Sequence, residues 1–322
     1  MNRIFEERSV SGGSLVSRYF RRRCSRAPAA LAAVAAAAAM LVVRPAGAAT
    51  LVVSPTNPQP GDVLTLTVFP AAGEKIGSVT MAAFDTPKVR FYPRADGSER
   101  AFLGLPYNRS AGSYPLHAQV ELLKNGGSQT EEASTHIDAR VRHFPVQHIT
   151  MKASEAGKMN RRLDFRRERE RVQSAMQDSN PAPLWKGSWM VPAKGHSTSS
   201  YGRKRYVNGK WWGQHSGADI AAPKGTPVVA CNTGSVVLSE YLPLLRGNCV
   251  VIDHGCNIFS VYMHLSRRLV SAGQRVQKGQ RIGLVGATGF VTGPHLHWEI
   301  RVAWEPVDPF HVVRYGLQFG KA

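Results

Sequence analysis

His215-Ser216-Gly217-Ala218-Asp219 places an imidazole and a carboxylate four residues apart, and His295-Leu296-His297 places two imidazoles two apart. On extended strands both spacings bring the side chains to one face, because the side-chain period is two. Three of these four groups, two His and one Asp, satisfy a tetrahedral Zn²⁺ and leave its fourth position for water, the arrangement of a catalytic rather than a structural site. Either pair alone is a weak signal, since short His spacings arise by chance in strands. A third element, Tyr262-Met263-His264-Leu265-Ser266, adds another imidazole within an apolar run. The remaining histidines have simpler readings. His254 lies in a turn-like Asp-His-Gly where a polar ring caps a hairpin, and His196 lies in a Gly/Ser-rich approach. Trp211 and Trp212, beside the first pair, are candidates for groove lining or for packing. The cysteines are not metal ligands, because Cys249 and Cys256 are seven apart and lack the short pairs of a zinc finger.

The elements that carry these groups must be strands. From Pro183 to the C-terminus, Gly-rich turns alternate with runs such as Gly234-Ser235-Val236-Val237-Leu238 and Cys249-Val250-Val251-Ile252-Asp253, which predicts a compact, mainly antiparallel β domain over 183–322. From Ala49 to Gln147, short alternating runs are punctuated by Pro and Gly. Tyr114, Leu116, Ala118, Val120 and Leu122 share one strand face while His117, Gln119 and Glu121 point outward. That pattern predicts an immunoglobulin-like β-sandwich over 49–147, without the Cys and Trp hallmarks of antibody domains and with no cluster of catalytic residue types. Its reading is a spacer or binding module. Between them, residues 148–182 form a charged helical linker, its helix expected at 158–178 and ended by Pro181 and Pro183. Such a charge run reads as a solvated face rather than as a nucleic-acid arm.

The composition, 43% hydrophobic and 20% charged with 30 Gly and 20 Pro, is that of a globular chain and sets aside wholesale disorder, collagen and coiled coil. The net charge of +19 draws the protein toward polyanions. Residues 1–48 hold +6 of that charge, residues 49–182 hold +3 and residues 183–322 hold +10. The first 48 residues read as a signal peptide: a basic stretch through Arg26, an apolar run from Ala29 to Val43, and Ala46-Gly47-Ala48 as a cleavage site after Ala48. A helix over that run falls short of a hydrocarbon core of roughly 30 Å, so an uncleaved N-terminal anchor is the lesser reading. Export to the periplasm or cell envelope leaves Cys231, Cys249 and Cys256 in an oxidising space, where at most one internal disulfide forms and its pairing is not readable.

Taken in order along residues 190–310, the motifs resemble one family. Tyr201-Gly202-Arg203 and Asn208-Gly209 lead into His215 to Pro223, followed by Gly225-Thr226-Pro227-Val228, Gly234-Ser235-Val236, Gly247-Asn248 and Asp253-His254-Gly255. The His264 segment, Gly273-Gln274-Arg275-Val276, Gly279-Gln280, Gly286-Ala287-Thr288-Gly289 and Gly293-Pro294-His295-Leu296-His297 complete the series. This order resembles the lysostaphin-like, LytM-type zinc metallopeptidases, the murein DD-endopeptidases of bacterial cell walls, some of which carry an N-terminal β-sandwich.

The resemblance implies that His215, Asp219 and His297 hold Zn²⁺ and that His264 and His295 flank the water and the scissile carbonyl, with their division of labour open. It implies an exported endopeptidase cutting peptide cross-links of peptidoglycan, a D-alanyl to diaminopimelate bond rather than a glycine bridge. The family's transition-state Tyr has no match at the right spacing, the nearest being Tyr206. Some relatives have lost ligands and act as non-enzymatic regulators of cell-wall amidases, which is the alternative reading; all five residues are present here. The helix at 158–178 is a candidate lid, whose removal raises activity if it occludes the site. A wall adhesin with structural zinc is a third reading, and it leaves the two non-ligand histidines unexplained. The implied partner is peptidoglycan, with no nucleic acid; the basic last domain is also suited to an anionic envelope surface, and the oligomeric state is not legible.

Overall fold

The computed structural model describes residues 48–124, 126–150 and 162–317. The basic leader, its apolar run and the first part of the expected linker helix lie outside them. The described residues belong to one compact unit, mainly β with antiparallel sheets, and among them no helix is long and apolar enough to cross a membrane.

The N-terminal strands form two antiparallel sheets. β1 (Thr50–Ser54), β2 (Val63–Phe69), β5 (Glu99–Gly104) and β4 (Tyr92–Pro93) lie side by side in that order, and β3 (Lys75–Thr80), β6 (Gly112–Lys124) and β7 (Gly127–Ala139) form the second sheet. The alternation read in β6 places Leu116, Ala118, Val120 and Leu122 in a core shared with Leu64, Leu66 and Leu103 of the first sheet, while His117 and Gln119 are exposed. The reverse face of the first sheet is covered too. Val63, Tyr92 and Phe102 join the core of the C-terminal strands, with Phe102 edge-on to Trp185.

The main sheet has the order β18 (Arg275–Val276), β14 (Gly234–Leu242), β15 (Gly247–Asp253), β16 (Ile258–Leu265), β20 (His295–Val302), β12 (Ala218–Ala221) and β9 (His196–Ser199), with β21 (Glu305–Val307) paired to β20. Every residue of β16 is buried, because it is covered on both faces, and this is why it reads as the near-continuous apolar run IFSVYMHL. On one face Tyr262, Trp298 and Ile300 pack against a small sheet of β13 (Pro227–Val229), β19 (Arg281–Leu284) and β17 (Arg267–Arg268). On the other face Phe259, Val261 and Met263 pack against helix α1 (Arg162–Ala175) through Val172 and Met176. The second helix, α2 (Pro309–Tyr315), is capped by Asp308, whose carboxylate also pairs with Arg142 from the end of the N-terminal sheets. His311 of the same helix meets Asp62 at 2.8 Å.

Two features depart from the linker and sheet as read in sequence. Residues Val146–Ile149 form a strand, β8, that pairs in parallel with β10 (Lys204–Val207), whose other neighbour is β11 (Lys210–Gln214). And α1 is docked by a narrow stripe, Phe165, Glu168, Val172 and Met176, spaced at three and four residues, although Arg166, Arg167, Arg169, Glu170 and Arg171 between them are charged and exposed.

Cys231, Cys249 and Cys256 are all buried free thiols, each pushed up to between about 11 and about 12 by burial. His254 is fully buried rather than a surface cap. Its Nδ1 donates to the Thr233 carbonyl at 2.8 Å and its Nε2 meets Ser260 Oγ at 2.8 Å. Burial pushes this ring down to about 4, against the backbone hydrogen bond that favours its charged form. Between an unfolded value near 6.5 and that folded value, the unfolded chain binds the extra proton, so stability is fully present above about 6.5 and is lost as pH falls toward 4. Wild type is therefore expected to lose about 3 kcal/mol more than His254→Gln between pH 7 and pH 4, at about 1.4 kcal/mol per unit. Urea unfolding of both proteins at the two pH values measures it, and equal losses would remove His254 as the cause.

Candidate metal centre

Alternation along β20 sends His295, His297, Glu299 and Arg301 to one face, while Leu296, Trp298 and Ile300 fill the core behind them. β12 lies antiparallel beside it with Asp219 directly opposite His297. His215 sits just before β12, its backbone N–H donating to the Arg203 carbonyl at 2.9 Å and its carbonyl accepting from Gly202 N at 2.8 Å. Between them, Gly217 crosses the edge of β20 so closely that a Cβ would lie 2.3 Å from the Trp298 carbonyl oxygen. Only glycine permits that approach, which lets residues four apart converge.

The three groups meet within a small triangle. His215 Nε2 is 3.0 Å from Asp219 Oδ1 and 3.0 Å from His297 Nδ1, and His297 Nδ1 is 2.8 Å from Asp219 Oδ1. All three side chains are buried, and together they are the group among the described residues that can hold a metal ion. The outer ring nitrogens decide the chemistry of the inner ones. His215 Nδ1 faces the Ser200 carbonyl at 2.9 Å, so it carries a hydrogen and donates. His297 Nε2 faces the Glu299 carboxylate at 3.0 Å, so it too carries a hydrogen. In the neutral tautomers that a metal would bind, with the remaining hydrogens on these outer nitrogens, two lone pairs and a carboxylate oxygen converge on one point. A cation satisfies all three, and ligands about 2.0–2.1 Å from a tetrahedral ion lie roughly 3.3 Å apart, close to the triangle observed. The donor set fits a metal.

The surrounding charges favour a cation as well. Burial opposes charge on His297, but hydrogen bonds to Asp219 and Glu299 hold its ring up to about 9. Burial also opposes charge on Asp219, yet hydrogen bonds from His215 and His297 hold it well below the usual carboxylate range. Burial dominates at His215 and pushes it down. Glu299 is held charged against its burial by Arg301, whose Nε donates to it at 2.6 Å, and by His297. The chain Arg301–Glu299–His297 thus orients one ligand and raises its basicity, as carboxylate partners of metal-bound histidines do.

His264 and His295 stand beside the triangle and outside it. Their ring centroids are 4.9 Å apart, and His264 is 6.0 Å from His297 by the same measure. His264 Nδ1 donates to the Thr288 carbonyl at 3.0 Å, which leaves Nε2 as its acceptor. Burial, then the nearby His297 and His295, push this ring down to about 3, so it stays neutral through the physiological range. His295 is the more exposed of the two. Its Nδ1 donates to the Gly293 carbonyl at 2.9 Å, and its Nε2 lies 3.7 Å from Asp219 Oδ1.

Several residues around the site were not singled out from sequence. Glu299 and Arg301 continue the alternation of His295 and His297, so the strand period could have found them. Arg205 had no such signal. It comes from a hairpin and donates to Asp219 Oδ2 at 3.2 Å and to Ser199 Oγ at 3.1 Å. The next residue, Tyr206, points to the opposite face of β10, where it stacks on His148 at 5.3 Å and meets Trp211 edge-on at 5.4 Å. Trp211 and Tyr206 therefore pack with each other on the far side of the hairpin from the Arg205–Asp219 contact. His254 is remote from the triangle, held in the core described above.

Comparison with known proteins finds a family likeness over the site. Residues 213–309 match the model of Peptidase family M23. Over 94 residues the chain is 52% identical to peptidoglycan DD-endopeptidase ShyA of Vibrio cholerae, covering 29% of this chain and 22% of that protein. Over 115 residues it is 40% identical to the DD-carboxypeptidase/endopeptidase Mpg of Neisseria meningitidis serogroup B, covering 36% of this chain and 26% of that protein. The chain thus spans about a quarter of the length of these curated relatives. A crystal structure assigned to peptidase M23 from Pseudomonas aeruginosa is 26% identical with a TM-score of 0.55, covering 81% of this chain and 96% of that one. That coverage is too large for the C-terminal strands alone and extends the likeness into the N-terminal sheets.

Proposed function

We propose that this protein, whose residues 213–309 match the model of Peptidase family M23, is an exported zinc endopeptidase that hydrolyses peptide cross-links of peptidoglycan. The observation that carries the reading is the pairing of a buried His–Asp–His triangle with two histidines that flank it without joining it. A structural zinc site has no use for such neighbours. Two His and one Asp, the ligand group among the described residues, suit zinc with an open coordination position. The D-alanyl to diaminopimelate bond is the substrate we favour over a glycine bridge, because the relatives matched over the site include one named a peptidoglycan DD-endopeptidase and one named a DD-carboxypeptidase/endopeptidase. Domain limits at 49–147, 148–182 and 183–322 and an immunoglobulin-like N-terminal sandwich belong to the same proposal, as does a signal peptide cleaved after Ala48.

His215, Asp219 and His297 would hold the zinc, which when bound polarises the scissile carbonyl and makes a water acidic enough to attack near neutral pH. His264, neutral and with Nε2 free, accepts the proton of the attacking water. His295, more exposed and with its own Nε2 directed toward the site, donates to the developing oxyanion or to the leaving amine. Arg205 holds the second oxygen of Asp219 and Glu299 holds His297, so both ligands enter the site already oriented.

The test is direct. The chain beginning at Ala49, incubated with purified sacculi, is expected to release peptides with new amino termini inside former cross-links, identified by mass spectrometry. A chelator should stop the release and added zinc should restore it. Binding of sacculi and zinc without any new ends would instead support the regulator of amidases.

A further inference from the structure

α1 shares the sheet face that carries the metal ligands. β16 pairs with β20 so that Met263 lies opposite His297, and Met263, Val261 and Phe259 are the residues on which Val172 and Met176 pack. The helix therefore stands on the same face of the sheet as the ligands. Among its described side chains the buried charge is Glu168, which is 5% exposed within a run of solvated Arg and Glu. Glu168 accepts three consecutive backbone N–H groups, from Leu244 at 2.7 Å, Leu245 at 3.1 Å and Arg246 at 3.2 Å. Three charge-assisted hydrogen bonds to one turn are a strong clamp.

That turn connects to the flanking histidine by two routes. The Arg246 carbonyl accepts the backbone N–H of His264 at 2.9 Å. On the second route, the Leu245 carbonyl accepts Phe290 N–H at 3.0 Å, and Asn248 N–H donates to Thr288 Oγ1 at 3.0 Å. A Cβ on Gly247 would lie 2.4 Å from the Thr288 carbonyl carbon, and one on Gly289 would lie 2.5 Å from Gly247 N. The turn and the 287–290 loop are thus in backbone contact, and the loop supplies the Thr288 carbonyl that holds the His264 ring. Phe165 of the helix reaches the same loop at Phe290, with ring centroids 6.4 Å apart. His264 itself has φ of +63°, a left-handed backbone that a non-glycine residue keeps only when its surroundings over-determine it.

We propose that Glu168 is a positioning residue for the reaction: it fixes the 243–246 turn, and through it the backbone and the ring acceptor of His264, so that α1 is a fixed wall of the groove. This rests on the hydrolytic reading above for its catalytic consequence, but the positioning itself does not. If α1 were a lid, releasing the Glu168 clamp would speed cleavage; as a wall, releasing that clamp slows cleavage.

The experiment compares Glu168→Ala, Glu168→Gln and Val172→Ala in the chain from Ala49. Glu168→Ala is expected to lower kcat by about 10²-fold with KM within about two-fold, the cost of displacing a reacting group by roughly 1 Å. Metal content should be unchanged. Glu168→Gln keeps one acceptor oxygen and should fall between wild type and Glu168→Ala. Val172→Ala loosens the same helix without touching the clamp, and at a comparable drop in Tm it should keep wild-type kcat. A second readout needs no turnover. In ¹⁵N-histidine spectra the hydrogen-bonded Nδ1–H of His264 should be protected from exchange in wild type and Val172→Ala and lost in Glu168→Ala. A Glu168→Ala protein that keeps this protected N–H, or whose kcat rises, overturns the proposal, as does a Val172→Ala protein that loses as much kcat. If wild type cuts no sacculi, the hydrolytic reading falls while the imidazole signal still decides the positioning.

Discussion

Asp219→Ala is expected to empty the site of metal at ordinary free-metal concentrations and to lower kcat/KM on cross-linked muropeptides by at least about 10³-fold, since loss of a direct ligand exceeds the 10–100-fold cost of removing an outer partner. Asp219 is the vertex of the triangle: its Oδ1 lies 3.0 Å from His215 and 2.8 Å from His297, and its other oxygen accepts from Arg205. Without it, two imidazole lone pairs and a guanidinium remain, and the latter repels a divalent cation. A linked effect separates loss of metal from loss of fold. At metal 100-fold above its Kd, binding stabilises the folded chain by about 2.7 kcal/mol, so a chelator should lower the Tm of wild type. The Tm of Asp219→Ala should be the same with and without chelator. Asp219→Asn keeps the volume and loses the charge, and is expected to bind metal weakly. Metal analysis after dialysis, with Tm measured in both conditions, checks all three; an Asp219→Ala protein that retains metal would remove Asp219 from the ligand set.

The site was legible in sequence to the extent that strands impose a period of two. His295 and His297 share a face for that reason, and the same rule, carried one and two steps farther along β20, reaches Glu299 and Arg301, which the sequence reading did not single out. The four-residue step from His215 to Asp219 was legible as a spacing, but its cause, the approach of Gly217 to the Trp298 carbonyl, appears only when β12 lies on β20. Contacts made across long stretches of chain left no local mark. Arg205 reaches Asp219 from a separate hairpin, and β8 pairs in parallel with a strand more than fifty residues onward. Glu168 was hidden differently. In a run of Arg and Glu, a buried carboxylate has the same letter as its solvated neighbours, and only its place on the Phe165–Val172–Met176 stripe distinguishes it.

The glycines show how a motif and its physical reason can part company. Gly247-Asn248 and Gly286-Ala287-Thr288-Gly289 were noted as ordered matches forty residues apart. In the fold they face each other, with Gly247 closing on Thr288 and Gly289 closing on the backbone of Gly247. Their common task is to hold the Thr288 carbonyl against His264, so two motifs that look independent in sequence serve one side chain.

His264→Ala and His295→Ala should each lower kcat by about 10²–10⁴-fold, the range of a general acid–base group, while metal content and sacculus binding stay at wild-type levels. The retained metal is the decisive feature, because it separates a proton-transfer role from a ligand role. Neither ring supplies an atom to the triangle, and each has its Nδ1 committed to a backbone carbonyl, Thr288 for His264 and Gly293 for His295. Each therefore has a single ring nitrogen left for the reaction, and the two rings are neighbours. If one takes the proton of water and the other delivers a proton to the leaving amine, removing the first already disables the sequence that needs the second. The double variant is then expected to be no more than about ten-fold slower than the worse single variant, the non-additivity of residues that act as a unit. Fully multiplicative losses would mean that the two rings act in separate steps. Loss of metal in either single variant would move that histidine into the ligand set and dismiss the division of roles drawn from the geometry.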